Sequence, residues 1–131
     1  MRRSELNLYV TLIRELRSSE ERLSILQKAS SDAIRNGLQD GYYQGIATEN
    51  IALLTEAQAA EVQRLSQKVI ALEKRIKAFL QTVQPESTRA ILNYRYLCGY
   101  KWDAVAVMMG PGYSVHAVKS AAYRYLNKLQ Y

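Results

Sequence analysis

A short helix, a glycine-bearing turn and a second helix are predicted by residues 102–129, which read WDAVAVMMGPGYSVHAVKSAAYRYLNKL. The first eight residues repeat apolar side chains at the spacing of one buried helical face. The glycine, proline and glycine at 110–112 end that helix, and Ser114 is a natural N-cap for a last helix that runs to about Leu129. In this arrangement one helix can enter the major groove of DNA while the other braces it.

The last helix is predicted to have one apolar face and one hydrogen-bonding face. At about 100° per residue, we expect the face toward the core to consist of Ala117, Val118, Ala121, Tyr125 and Leu129. The opposite face carries His116, Lys119, Ser120, Tyr123, Arg124 and Asn127, with Val115 at the helix start. The polar face is either a DNA-binding surface or the solvated side of an ordinary amphipathic helix.

The DNA-binding interpretation gives each side chain a role. The amino-terminal positions of a recognition helix normally reach base edges, so base reading is predicted for Val115, His116, Lys119 and Ser120. Lysine can donate to guanine acceptors, serine can donate or accept, and valine can touch a thymine methyl group. Contacts to the DNA backbone, which position a protein without reading sequence, are predicted for Arg95, Lys101, Tyr123, Arg124 and Lys128.

Positive charge is concentrated in the same part of the chain. The 131 residues have a formal net charge of +6. From Ser87 onward, six basic side chains oppose one acidic side chain, a net charge of +5, whereas the first 86 residues have a net charge of +1. A local positive field is typical of a protein with a polyanionic partner, although a modest excess also serves solubility.

Two long helices are predicted ahead of this segment, over 4–31 and 48–84, with a loop near 36–48. The second helix carries a heptad seam, which consists of Val62, Leu65, Val69, Leu72, Ile76, Phe79 and Val83. Such a seam must be covered by another helix. The cover is either the first helix, in an antiparallel hairpin, or the same helix of a second subunit, in a coiled-coil homodimer.

We therefore predict an all-α chain in two parts. Residues 1–84 form a long helical hairpin or coiled-coil arm, and residues 87–131 form a helix-turn-helix of three short helices. The first of these three is expected over 89–98, with Gly99 as the left-handed residue that ends it.

Several other classes of protein are not expected. The apolar stretches are short and interrupted by charges, and the amino terminus lacks an apolar core, so we expect no membrane span, no signal peptide and a cytoplasmic location. The single cysteine, Cys98, fits a reducing compartment. The sequence lacks a cysteine–histidine pair, a phosphate-cradling glycine loop and a metal-binding spacing of carboxylates with a histidine, so neither an enzyme, a metal site nor a cofactor is expected.

The carboxy-terminal part resembles region 4 of sigma-70 factors. The resemblance is carried by Arg89, Ile91, Leu92, Arg95, Tyr96, Leu97, Gly99, Trp102, Val105, Ala106, Met109, Gly110, Tyr113, Ser114, Val118 and Leu126. A long helical arm followed by this motif is similar to small phage and prophage regulators of low-GC Gram-positive bacteria, including late activators of the RinA and ArpU type. The resemblance implies that the last helix binds duplex DNA in a bacterial host cell, with base-reading positions at Val115, His116, Lys119 and Ser120, and it implies contact with RNA polymerase.

The leading hypothesis is a sequence-specific regulator of transcription, a phage or prophage activator that binds double-stranded DNA as a monomer or a homodimer. One alternative is an adaptor that grips RNA polymerase with a sigma-like fold, and another is a small terminase-like subunit of a DNA-packaging machine. Val107 and Met108 fall on a nominally exposed face of the helix before the turn. We hypothesise that they pack on the arm or on a partner protein.

Overall fold

The computed structural model describes residues 1–36 and 48–129, and every regular element within them is helical. The elements are helices α1 (Arg3–Asn36), α2 (Thr48–Leu80) and α3 (Glu86–Leu92), a π-helical segment (Asn93–Leu97), and helices α4 (Trp102–Met109) and α5 (Val115–Lys128). The all-α prediction is confirmed, with a long amino-terminal helix pair and shorter carboxy-terminal helices. The predicted loop near 36–48 lies mostly outside the described residues.

Two helices differ from the prediction because the spacing of their backbone hydrogen bonds departs from that of an α-helix. Helix α2 ends at Leu80 rather than at Gln84, because the amides of Thr82 and Val83 bond to carbonyls three residues back, at 2.9 and 3.2 Å. The helix expected over 89–98 begins earlier and changes to π-helical bonding, in which the Cys98 amide reaches the carbonyl five residues before it at 3.0 Å.

The contacts within the chain divide it into two compact units. Residues 1–12 and 69–131 form one, here called the head unit, and residues 13–68 form the other, called the hairpin unit. The head unit contains eleven basic and four acidic side chains, a net charge of +7, whereas the hairpin unit contains seven basic and eight acidic ones. The contacts thus divide the chain within α1 and within α2. That residues 1–84 and 87–131 are separate domains stays a prediction.

In the hairpin unit, α1 and α2 lie antiparallel. Gln58 donates through its side-chain amide to the backbone oxygen of Ser19 at 3.0 Å and to the Ser19 hydroxyl at 2.5 Å, and Ile51 packs against Ala29. Ser19 is fully buried, at 0% exposure, so Gln58 satisfies a hydroxyl that water does not reach. The hairpin alternative is therefore the one observed within this unit, and a homodimer stays a prediction.

The core of the head unit combines distant parts of the sequence. The start of α1 contributes Leu6, Tyr9 and Leu12, and the end of α2 contributes four of the seven seam residues, all buried: Val69, Leu72, Ile76 and, just after the helix, Val83. Of the other three, Leu65 is buried in the hairpin unit, while Val62 and Phe79 are half-buried. The three short helices complete this core with Ile91, Leu92, Tyr96, Val105, Ala106, Val118, Ala122 and Leu126.

Candidate nucleic-acid interface

The turn between α4 and α5 depends on glycine at two positions. Gly110 has φ 96° and ψ −173°, and Gly112 has φ 93°, backbone conformations that residues with a Cβ atom rarely adopt. Ser114 then begins α5 as predicted, because its hydroxyl accepts a hydrogen bond from the Ala117 amide at 3.0 Å. The turn therefore ends one helix and starts the next within five intervening residues, 110–114.

The buried face of α5 is rotated from the one predicted, although Val118 belongs to both and predicted Ala121 and Tyr125 are half-buried. Its buried residues are Val118, Ala122 and Leu126, which recur every four positions and so lie on one side of the helix. The prediction was wrong for Ala117 and for Leu129, which is 43% exposed. The core face is centred on the row that includes Ala122, which is fully buried.

The four predicted base-reading residues share one surface at the start of α5. Val115 is 41% exposed, His116 and Lys119 are exposed, and Ser120 is half-buried. The Ser120 hydroxyl lies 3.4 Å from Nε2 of His116, so these two side chains can present a combined donor and acceptor pair. The structure thus brings together side chains that can match base edges, on the first two turns of a capped helix.

Three of the predicted backbone contacts are exposed cations. Arg124 and Lys128 lie one turn apart on α5 and line an open cleft together with Gln84, Pro85 and Thr88. Lys101 is exposed at the residue before α4. These positions give cations both on α5 and at the start of the bracing helix, where phosphate groups could be held.

Arg95 and Tyr123 are held within the protein by aromatic contacts. The Arg95 guanidinium lies 4.8 Å from the centre of the Trp102 ring, and Trp102 meets Tyr123 edge to face, with ring centres 5.6 Å apart. Arg3, from the first turn of α1, lies 4.0 Å over the Tyr123 ring. We call this row of Arg3, Tyr123, Trp102 and Arg95 the cation–aromatic ladder.

The ladder has an electrostatic effect on a buried neighbour. Burial raises the pKa of the Tyr96 hydroxyl above its usual value, and Tyr123 raises it further, while the charges of Arg3 and Arg95 lower it. Three other side chains of the head unit, Arg3, Arg95 and Tyr123, are thus close enough to influence the ionisation of Tyr96.

Sequence reasoning missed Arg3 because no local pattern connects it with α5. The contact joins the two ends of the chain, and it forms only when the start of α1 packs into the head unit. The single available signal was the pair Arg2 and Arg3 next to the apolar face of α1, which is compatible with many positions in a fold.

Val107 and Met108 remain on the surface. They are 78% and 49% exposed, so packing on the arm, one of the two hypotheses for them, is not observed. Within residues 1–36 and 48–129, no group of three histidine, cysteine, aspartate or glutamate side chains could hold a metal ion. No helix in the same ranges is long and apolar enough to cross a membrane.

Comparison of the chain with protein families, curated proteins and solved structures gives no match. The fold and the surface define an all-helical chain whose last helix is capped, braced by a preceding helix and rich in exposed cations.

Proposed function

We propose that this chain is a sequence-specific, double-stranded DNA-binding regulator of transcription, a phage or prophage activator that inserts the start of α5 into the major groove. The observation that carries the proposal is the shared surface of exposed His116, exposed Lys119 and half-buried Ser120 on the first two turns of α5. Ser114 caps this helix, and α4 packs against it. A rigid helix with polar side chains at its amino-terminal end is the usual geometry for reading base edges.

The charge of the head unit supports a polyanionic partner. This unit has a net charge of +7, whereas the hairpin unit is close to neutral at −1. Release of counterions from DNA makes the affinity depend on salt, with a slope of about 0.9 for each phosphate neutralised. Five exposed or half-buried cations of the predicted surface are Arg95, Lys101, Lys119, Arg124 and Lys128. We therefore expect the slope of log affinity against log salt concentration to correspond to roughly four to six neutralised phosphates.

The test is binding of the purified chain to duplexes selected from a random-sequence pool, with unrelated duplex as competitor, over a series of salt concentrations. Lys119→Ala should reduce the preference for the selected duplex, because discrimination by one lysine or arginine contact to guanine amounts to about 1–3 kcal/mol. Lys28→Ala removes the same charge from an exposed position of the hairpin unit. It should leave selectivity unchanged.

The two variants distinguish a reading surface from a solvated helix face. If selection from the pool enriches no sequence and the chain binds every duplex equally, the regulator proposal is wrong. If selection succeeds but Lys119→Ala and Lys28→Ala behave alike, the chain reads DNA with a surface other than α5.

A second candidate function is an adaptor that binds RNA polymerase through α4. It is favoured by the exposure of Val107 and Met108, two apolar neighbours at the end of that helix. Substituting both with glutamate should abolish capture of RNA polymerase while DNA binding persists. Capture unchanged by the double substitution, or no capture by the wild-type chain, would remove this candidate.

A further inference from the structure

The first turn of α1 has a defined position in the head unit. Leu6 and Tyr9 are buried in its core. The Glu5 carboxylate accepts a hydrogen bond from the Arg75 guanidinium at 2.7 Å, which ties α1 to α2. Arg3 lies over the Tyr123 ring at 4.0 Å. Contacts to α2 and to α5 therefore fix the position of Arg3.

Arg3 lies beside the edge of α5 that carries Lys119. Tyr123 follows Lys119 by four residues, so the two side chains lie one above the other on the helix surface. At 100° per residue, Arg124 and Lys128 fall on the other edge of the exposed face. Helix α5 thus carries two cations of its own along one edge, and on the other edge Arg3 adds a charge to that of Lys119.

Stacking on a ring leaves an arginine able to bind phosphate. A guanidinium over an aromatic ring uses its flat face, whereas its five N–H groups lie in its plane and point outward. The contact also orients the group in advance, which reduces the side-chain entropy lost on binding. Arg2, the preceding residue, is exposed.

We propose that the start of α1 is part of the DNA-binding surface, with Arg3, held on Tyr123, and its neighbour Arg2 contacting phosphates on the Lys119 edge of α5. The inference rests on the proposed function and extends it. A major groove is bordered by two phosphate backbones. Arg124 and Lys128 face one of them, and the start of α1 faces the other.

The test is a salt series with a duplex selected by the wild-type chain and with an unrelated duplex of equal length. Arg3→Ala should lower the slope of log affinity against log salt by about 0.9, which at 0.1 M salt corresponds to about an eightfold loss of affinity. The loss should be the same on both duplexes, because a phosphate contact carries no sequence information. Arg3→Lys, which keeps the charge, should restore most of the slope.

Arg17→Ala is the matched control. Arg17 is exposed on the same helix but belongs to the hairpin unit, so its removal should leave the slope unchanged. If Arg3→Ala does not fold, Arg3→Gln replaces it, because a planar amide can remain over the ring without the charge.

The outcomes separate the inference from the proposed function. A wild-type slope in Arg3→Ala or Arg3→Gln, with selectivity intact, overturns the inference and leaves the regulator proposal standing. A wild-type chain that binds DNA without selectivity overturns the regulator proposal, and the unrelated duplex still tests Arg3. A wild-type chain that does not bind DNA at all overturns both.

Discussion

The turn at Gly110 allows a test in which the cost of a backbone conformation is separated from steric crowding. Its φ of 96° and ψ of −173° fall in a region that is essentially restricted to glycine. A Cβ atom added there would meet no heavy atom within 4 Å. Gly110→Ala therefore adds backbone strain without a clash.

The magnitude follows from two opposing effects. Strain of this kind lowers the free energy of unfolding by about 1–3 kcal/mol. Alanine also restricts the backbone of the unfolded chain, which raises the free energy of unfolding by about 0.4–1 kcal/mol. We expect Gly110→Ala to lower the free energy of unfolding by about 1–2 kcal/mol, or the Tm by roughly 3–10 °C for a chain of this size.

The control is D-alanine at the same position. For a D-residue the observed angles mirror an ordinary extended conformation, so the strain disappears while the effect on the unfolded chain remains. We expect D-alanine to stabilise the chain by about 0.4–1 kcal/mol.

The assay is denaturant unfolding of semisynthetic chains. Cys98 is exposed and is the only cysteine, so residues 1–97 can be ligated as a thioester to synthetic peptides 98–131 that carry glycine, L-alanine or D-alanine. Equal stability of the two alanine chains would refute the assigned backbone conformation of the turn. A D-alanine chain less stable than the glycine chain would show that the Cβ atom of the D-residue, which takes the other hydrogen position of Gly110, is sterically crowded.

Three further predictions concern the two units. Gln58→Leu should destabilise the chain by about 1–3 kcal/mol in urea unfolding, because it leaves the buried Ser19 hydroxyl without its partner; exposed Gln63→Leu is the control, and equal effects would contradict the reasoning. Arg3→Ala should raise the pKa of Tyr96 further in an NMR titration of labelled tyrosine, since the arginine charge lowers it. A fall in the Tyr96 pKa in Arg3→Ala would contradict the ladder geometry. Because the Tyr96 pKa is raised in the folded chain, the contribution of this group to stability is present below about pH 10 and is lost above that value. A fragment 87–131 should show little helical circular dichroism, because its core residues pack with α1 and α2 in one unit; a folded fragment with full selectivity for DNA would support the predicted domain division instead.

The elements fixed by neighbouring residues could be predicted from the sequence. Helix α4 spans Trp102–Met109 as expected, because its apolar stripe and Gly110 both act within a few residues. The Ser114 cap is likewise a local contact. The expected helix over 89–98 ends where predicted, followed by Gly99 in the left-handed conformation at φ 74°. Its change to π-helical hydrogen bonds after Leu92 could not be predicted, because a five-residue segment is too short for a shift of one residue in hydrogen-bond spacing to alter the sequence pattern.

Contacts between distant segments limited the prediction of the site. The rotation of α5 about its axis is set by where Ala122 and Leu126 meet the rest of the core, and the alanines of this helix give the sequence pattern little contrast between faces. Exposed Lys119, Arg124 and Lys128 were found because charge and face are both visible in the sequence. Arg3 was not found, because its partner lies at the opposite end of the chain.

The position of Tyr123 changes how a substitution there must be interpreted. Its hydroxyl was predicted to contact the DNA backbone, but its ring also lies between Arg3 and Trp102. Removing the whole side chain would release Arg3 as well as a hydroxyl, so weaker DNA binding by Tyr123→Leu would have two causes. Tyr123→Phe keeps the ring and removes only the hydroxyl. Comparison of the two variants therefore shows whether the loss of DNA binding comes from the hydroxyl or from the release of Arg3. If phenylalanine preserves the salt slope and leucine lowers it, the ring acts through Arg3, and the phosphate contact belongs to α1 rather than to the tyrosine.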